Sequence, residues 1–390
     1  MNVHIFANCI TSAKSMSGGD RSFIELSKRW KNSGVDIHVY VPKVGYELCK
    51  SNGLNAQYVI IPSPDVRKIG VVLTYIIRII NGCLTASKSK LENRSLCYSS
   101  SDFLPDVIPA LLMKRNNKGS KWIVCIHLLA PSPFQNFPRW SMKETLFSMF
   151  RSVLYRFSQK IAIYLMKSAD LILVVNTEMK KYLQMHGIPS KRIKIIDNGV
   201  NLKYILRIKS GEKRYDAVFV GRFHRQKGLL DLLKIWGEVH KKHEYVKLAI
   251  IGGGTRDWED KLKNEITKRK LGCNIELLGF LSEAKKFKII KSSKMLLFPS
   301  YYESWGIVAC EAMACGVPVV AYDLPIYREI FPRGILTMPV GDTEKFADSV
   351  ISLLNDEARR KRLGEDALKM VSRYDWDIVA ERLLDHLKTL

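Results

Sequence analysis

The sequence predicts an α/β protein of two doubly wound, parallel-sheet domains, and three observations predict it. Short apolar, β-branched runs alternate with helical patterns along nearly the whole chain, as strands joined by crossover helices do. A polar, basic segment at 203–214 interrupts the alternation once, and the pattern then restarts. A length of 390 residues also exceeds what one ordinary core holds. The expected domains are therefore 1–204 and 205–375, with a last helix, 376–390, expected to rejoin the first.

In the first domain the runs at 2–7, 36–41, 95–99, 122–126, 171–175 and 194–196 read as strands. Helical patterns at 20–31, 105–114, 142–166 and 178–186 separate them. In the second, strands are expected at 215–220, 246–251, 274–277, 294–298, 318–321 and 335–337. Helices are expected at 227–240, 257–270, 282–290, 344–354 and 357–371. Sheets of this kind bind ligands beyond the carboxyl ends of their strands. With two such domains, a central cleft faced by both is the expected site.

A hydrophobic share of 47% is that of a globular protein. The eight cysteines have no Cys-x-x-Cys spacing and read as free thiols of a reducing, cytoplasmic compartment. Residues 1–10 carry neither a basic start nor a long apolar run, so no secretory signal is expected. The net charge of +24 is concentrated in residues 1–200, which hold 28 Lys and Arg against 12 Asp and Glu. Such a field favours anionic partners (phosphates, nucleic acid or acidic lipid) without choosing among them.

The stretch 298–316, Phe-Pro-Ser-Tyr-Tyr-Glu-Ser-Trp-Gly-Ile-Val-Ala-Cys-Glu-Ala-Met-Ala-Cys-Gly, says most about chemistry. A strand leads into a loop bearing Glu303; Ser304 can cap a helix that starts near Gly306 and stops at Gly316. Amides at Gly306 and Ile307 would then form an anion site. Glu311, roughly 7 Å along the helix at 1.5 Å per residue, is placed to accept from two vicinal ribose hydroxyls. Glu303 would face whatever hangs from the outer phosphate. A loop glutamate and an ordinary capped helix explain the same residues.

Other strand ends carry related loops. Ser17-Gly18-Gly19-Asp20 opens a helix, and Gly18 and Gly19 allow close approach to a phosphate or merely make a turn. In Gly221-Arg222-Phe223-His224-Arg225-Gln226-Lys227-Gly228, Arg222 and Lys227 can converge on a diphosphate; a solvated basic loop is the alternative. Gly252-Gly253-Gly254 lacks the dinucleotide spacing and reads as a tight turn. Leu278-Gly279-Phe280, expected to follow a strand, can offer Leu278 backbone groups to a base edge or be an ordinary turn. His127 ends the strand 122–126, as a catalyst or as a structural histidine. No hydrolase triad and no metal-ligand spacing is present in the sequence.

Taken in order, these pieces resemble the retaining glycosyltransferases of family 4, also described as glycosyl transferases group 1, which have the GT-B fold. Glu303-x7-Glu311 followed by Ala-Met-Ala-Cys-Gly-Val-Pro-Val-Val is the most specific match. Gly221-Arg222-Phe223…Lys227-Gly228, Gly252-Gly253-Gly254, Leu278-Gly279-Phe280 and Asn198-Gly199-Val200-Asn201 support it. The resemblance implies that Arg222, Lys227, Gly19 and the amides of Gly306 and Ile307 hold a donor diphosphate. It implies that Glu311 binds the ribose, that Glu303 contacts the transferred sugar and that His127 lies beside the reacting carbon. It also implies a nucleotide-diphosphate-sugar donor, retention, and no cofactor or catalytic metal. Two departures stand out: relatives often have Asp where Asn201 stands and Phe where Trp305 stands.

The acceptor this resemblance implies is a hydroxyl of a glycan or a lipid-linked glycan, met at the inner face of the cell membrane. Two segments suit such a surface. The run 69–80 is strongly apolar but, at that length and with Arg78, too short to span a bilayer. The stretch 133–167 interleaves Phe134, Phe137, Trp140, Phe147, Phe150, Tyr155 and Phe157 with basic residues, as an interfacial helix or a half-buried core helix would. A sugar-nucleotide epimerase of similar fold is a second reading. A nucleic-acid binder is a third; it explains the charge, but no binding module is recognisable and nucleic acid is not the expected partner.

Overall fold

The computed structural model describes residues 1–13, 16–92, 94–130, 142–212 and 214–390. The first sheet contains β1 (Asn2–Phe6), β2 (Asp36–Val41), β3 (Gln57–Ile60), β4 (Leu96–Ser99), β5 (Lys121–Ile126), β6 (Leu171–Val174) and β7 (Ile193–Ile195). All pairs are parallel, in the order β3-β2-β1-β4-β5-β6-β7. Its central strands are apolar on both faces; β4 and β6 are buried at every residue. Helices must therefore cover both sides.

The second sheet contains β8 (Ala217–Val220), β9 (Leu248–Ile251), β10 (Ile275–Gly279), β11 (Leu296–Phe298), β12 (Val319–Tyr322) and β13 (Ile335–Met338). It is also all-parallel, in the order β10-β9-β8-β11-β12-β13. Strand order reverses between β1 and β4 in one sheet and between β8 and β11 in the other. These reversals open a crevice above the carboxyl ends of the flanking strands. Each sheet thus has its own switch point; the loops 17–20, 221–228 and 299–306 follow strands that flank one, while His127, residues 252–254 and Leu278 lie at the ends of strands further out.

The first compact unit runs to Asn198 and includes Trp376–Leu390; the second is Gly199–Asp375. The helix Trp376–Lys388 packs on the helix Gly18–Asn32. There Trp30 Nε1 donates to Ala380 O at 3.1 Å and Arg29 Nε to Asp377 Oδ1 at 2.7 Å. Trp376, Leu383, Leu384 and Leu387 join the core built on β1, β2 and β4.

Of the departures from the sequence expectation, three bear on the sites. The strand β3 was not expected, because as an edge strand it is half-exposed and lacks a buried apolar run. The segment 203–214 is not a plain linker: Asn201 Oδ1 accepts from Tyr204 N at 3.1 Å and caps a short helix, Leu202–Arg207. The apolar run 69–80 lies mostly within an 18-residue helix, Val71–Lys88, which by length and composition alone is enough to cross a membrane. Of the aromatic stretch 133–167, residues 133–141 lie outside the described residues, and 142–166 form one helix.

Candidate active site

In the C-terminal unit the loops after β8 and β11 meet at the switch point. Arg225–Lys227 forms a single 3-10 turn closed by Gly228, which has φ 68°. A Cβ on Gly228 would lie 1.9 Å from Pro299 O, so only glycine lets the two loops approach this closely. Tyr301 N donates to Gln226 O at 2.8 Å, and Gln226 Nε2 donates to Tyr302 O at 2.7 Å. Beneath them Asp231 is buried and accepts from the hydroxyls of Tyr301 and Tyr322. This bracing aims Lys227 Nζ at Glu303 Oε1, 2.5 Å away, with both side chains largely shielded from water. Arg222 sits exposed earlier on the same loop.

The helix after Glu303, Ile307–Ala314, is not capped by Ser304. Its N-cap is Gly306 at φ 94°, without a side-chain cap bond. The cause lies in Trp305, which is buried edge-on against Phe331 and Tyr374 at centroid distances of 5.5 and 5.0 Å. Burying that ring turns the chain so that the following residue takes the left-handed conformation. Gly306 and Ile307 open the helix, where amides have no earlier helical carbonyl to bond.

Glu311, 3% exposed, lies within this helix, buried from Ala309 to Ala314. Its Oε1 accepts from Lys286 Nζ at 2.7 Å. Lys286 comes from the helix Glu283–Lys291 and is a residue that sequence reading missed. Nothing marks it there among four lysines of that helix. The buried ion pair holds the carboxylate in one orientation.

Leu278 is not on a loop after the strand but inside β10. The register slips between Leu277 and Gly279, leaving Leu278 without a partner on β9. Such a bulge frees one residue's backbone groups at the strand end. Gly279 O instead accepts from Gly252 N at 2.9 Å, tying in the triple-glycine turn.

The N-terminal unit presents a different chemistry. Ser17 and Asp20 form a reciprocal capping box that starts the helix Gly18–Asn32. Gly19 packs face to face with His127: a Cβ there would lie 2.7 Å from the ring. His127 Nε2–H donates to Ser100 O at 3.0 Å, which leaves Nδ1 as the lone-pair nitrogen, 3.9 Å from Cys125 Sγ. Burial holds this imidazole below its ordinary pKa, outweighing Ser100 and Asp20, so it is neutral. Asp106 accepts from Asn8 N, Ser101 Oγ and Ser100 Oγ at 2.6, 2.5 and 3.2 Å and braces the same loops. The structure thus groups Gly18, Gly19 and His127 at one switch point. It groups Arg222, Lys227, Glu303, Gly306, Ile307 and Glu311 around the other.

Comparison with known proteins adds a second line. The family described as Glycosyltransferase Family 4 matches residues 16–204, and the one described as Glycosyl transferases group 1 matches 204–370. A phosphatidyl-myo-inositol mannosyltransferase of Mycobacterium leprae is 29% identical over 256 residues, covering 64% of each chain. The alignment therefore spans just under two thirds of that relative's own length. A poly(glycerol-phosphate) alpha-glucosyltransferase of Bacillus subtilis is 30% identical over 165 residues, 42% of this chain and 24% of that one. Among solved structures, Anabaena HepE in complex with UDP and glucose superposes with a TM-score of 0.75, 14% identity and full coverage of both chains. TarM of Staphylococcus aureus does so with a TM-score of 0.73, 13% identity and 99% coverage of each chain. At such identities these two speak for the fold alone, and that fold is GT-B.

Proposed function

This chain belongs to glycosyltransferase family 4, an enzyme family of GT-B fold, and we propose that it moves a sugar, with retention, from a nucleotide-diphosphate donor to a hydroxyl acceptor. The acceptor is a glycan or lipid-linked glycan met at the cytoplasmic face of the membrane. The observation that carries this reading is the convergence of Lys227 and Glu303, on two loops hydrogen-bonded to each other, beside the helix that holds Glu311.

In this reading Lys227 and Arg222 neutralise charge as it grows on the departing diphosphate, where fixed cations stabilise the transition state most. No metal is needed for that task. Amides at Gly306 and Ile307 and the Gly18-Gly19 turn take the remaining phosphate oxygens. Glu311 accepts from the ribose hydroxyls, and the backbone of Leu278 meets the base edge. Donor binding draws Lys227 away from Glu303, freeing that carboxylate for the sugar hydroxyls. Neutral His127 lies beside the reacting carbon, and Glu303 takes no covalent role.

A thermal-shift screen against UDP-, GDP- and ADP-sugars tests the reading, because a ligand bound by the folded state alone raises the midpoint by mass action. One donor class is expected to stabilise the wild type and to have no effect on Lys227→Ala. Proton NMR of the product should then report the donor's own anomeric configuration. No shift with any donor would sink the proposal.

A further inference from the structure

The helix Val71–Lys88 is amphipathic the wrong way round for a water-facing element. Its buried stripe is Thr74, Arg78, Gly82 and Ala86, while Val72, Ile76, Ile80 and Leu84 on the opposite side are 61%, 47%, 52% and 55% exposed. A surface helix of a soluble domain normally does the reverse. The inward face is nevertheless well made. Arg78 Nη1 donates to Asn8 O and Ile10 O, both at 2.8 Å, and Gly82 lets the helix close onto Pro109. Locked along its side in this way, the helix lies on the domain and does not cross a bilayer. The neighbouring helix Met142–Met166, joined to it by Tyr75 Oη and Ser158 Oγ at 2.9 Å, exposes Phe157 and Tyr164 at 65% and 71%.

We propose that these two outward faces form one docking surface for an anionic lipid bilayer. Charge selects that occupant. The segments 71–88 and 152–166 carry no Asp or Glu, while Lys88 and Lys160 are exposed and Arg156 is half-buried. Apolar side chains enter the acyl boundary, Tyr164 sits at headgroup depth, and exposed Lys88 and Lys160 meet lipid phosphates. Arg78 also fastens this surface to the loop after β1, the loop that leads to Gly18 and Gly19. The inference deepens the membrane part of the proposed function and rests on it only for the acceptor.

Co-sedimentation of the whole chain with phosphatidylcholine vesicles, with and without phosphatidylglycerol, decides the matter. The wild type should bind the anionic vesicles and lose them in high salt. The triple variant Ile76→Ser, Ile80→Ser, Phe157→Ser should partition on the order of a hundredfold more weakly, since three large apolar side chains no longer leave water. All three positions are exposed, so its melting midpoint should stay put. Absence of wild-type binding, or equal binding by the variant, overturns the proposal. So does a wild-type dimer that the variant dissociates, which would make the face a protein interface. Donor-induced stabilisation is measured without lipid in the same preparations, so loss of one result does not carry the other with it.

Discussion

The two switch points share a topology and differ in charge. Above β8 and β11, opposite charges are held face to face: Lys227 on Glu303 and Lys286 on Glu311. Above β1 and β4, the groups are uncharged or held back from charge. His127 is neutral, and burial pushes Asp102 and Asp106 up to about 6 and about 7. One fold therefore carries two switch points of different electrostatic character, and the loops make the difference.

The largest test removes the charge from the first site. Lys227→Ala and Glu303→Ala should each lower kcat by roughly 10²–10³-fold, as loss of a transition-state contact does. Only Lys227→Ala should also abolish the donor-induced thermal shift, and an equal loss of shift in both would merge their roles. Next come the variants of the second pair. Glu311→Gln and Lys286→Met should weaken binding of the ribo donor about tenfold or more, the worth of a hydrogen bond to a charged group. A 2′,3′-dideoxy donor should be indifferent to both, and isothermal titration with the two donors separates positioning of Glu311 from general damage.

Acid should find the N-terminal unit. Burial lowers His4 to about 4, and it also lowers His127. The unfolded chain then binds the extra protons, so these groups take stability away as pH falls from about 6.5 toward 4, by at most about 1.4 kcal/mol per unit for each. Asp102 and Asp106 act with the opposite sign, keeping protons in the folded state and losing their contribution as pH rises. Comparing wild type with His4→Gln isolates the first effect: the gap in melting midpoint should change across pH 4–6.5 and stay flat above it. The smallest expected effect is Asn201→Asp, the residue relatives often carry. Either side chain caps the helix Leu202–Arg207, so denaturant unfolding should differ by under about 0.5 kcal/mol.

Both sheets were legible in the sequence because their strands are buried on both faces and therefore appear as unbroken apolar runs; β4 and β6 are the plain cases. The edge strand β3 was not, because half-exposed residues carry no such run. Glycines and charges at strand ends could be read as loops, but their mutual distances could not. Lys286 reaches Glu311 from 25 positions away, and a bulge, invisible in a list of residues, moves Leu278 into a strand. Ser304 had the composition of a cap and lost the position to Gly306 through the burial of Trp305.

The helix Trp376–Lys388 sets an order of events during synthesis. A ribosome completes Gly199–Asp375 before it has made Trp376–Leu390, so Trp30 waits without its Ala380 partner until that segment follows. The donor-side unit can mature on the nascent chain while the other remains unfinished. Premature termination at residue 375 should therefore yield a chain whose defect lies almost two hundred residues upstream of the stop, in a unit translated long before it.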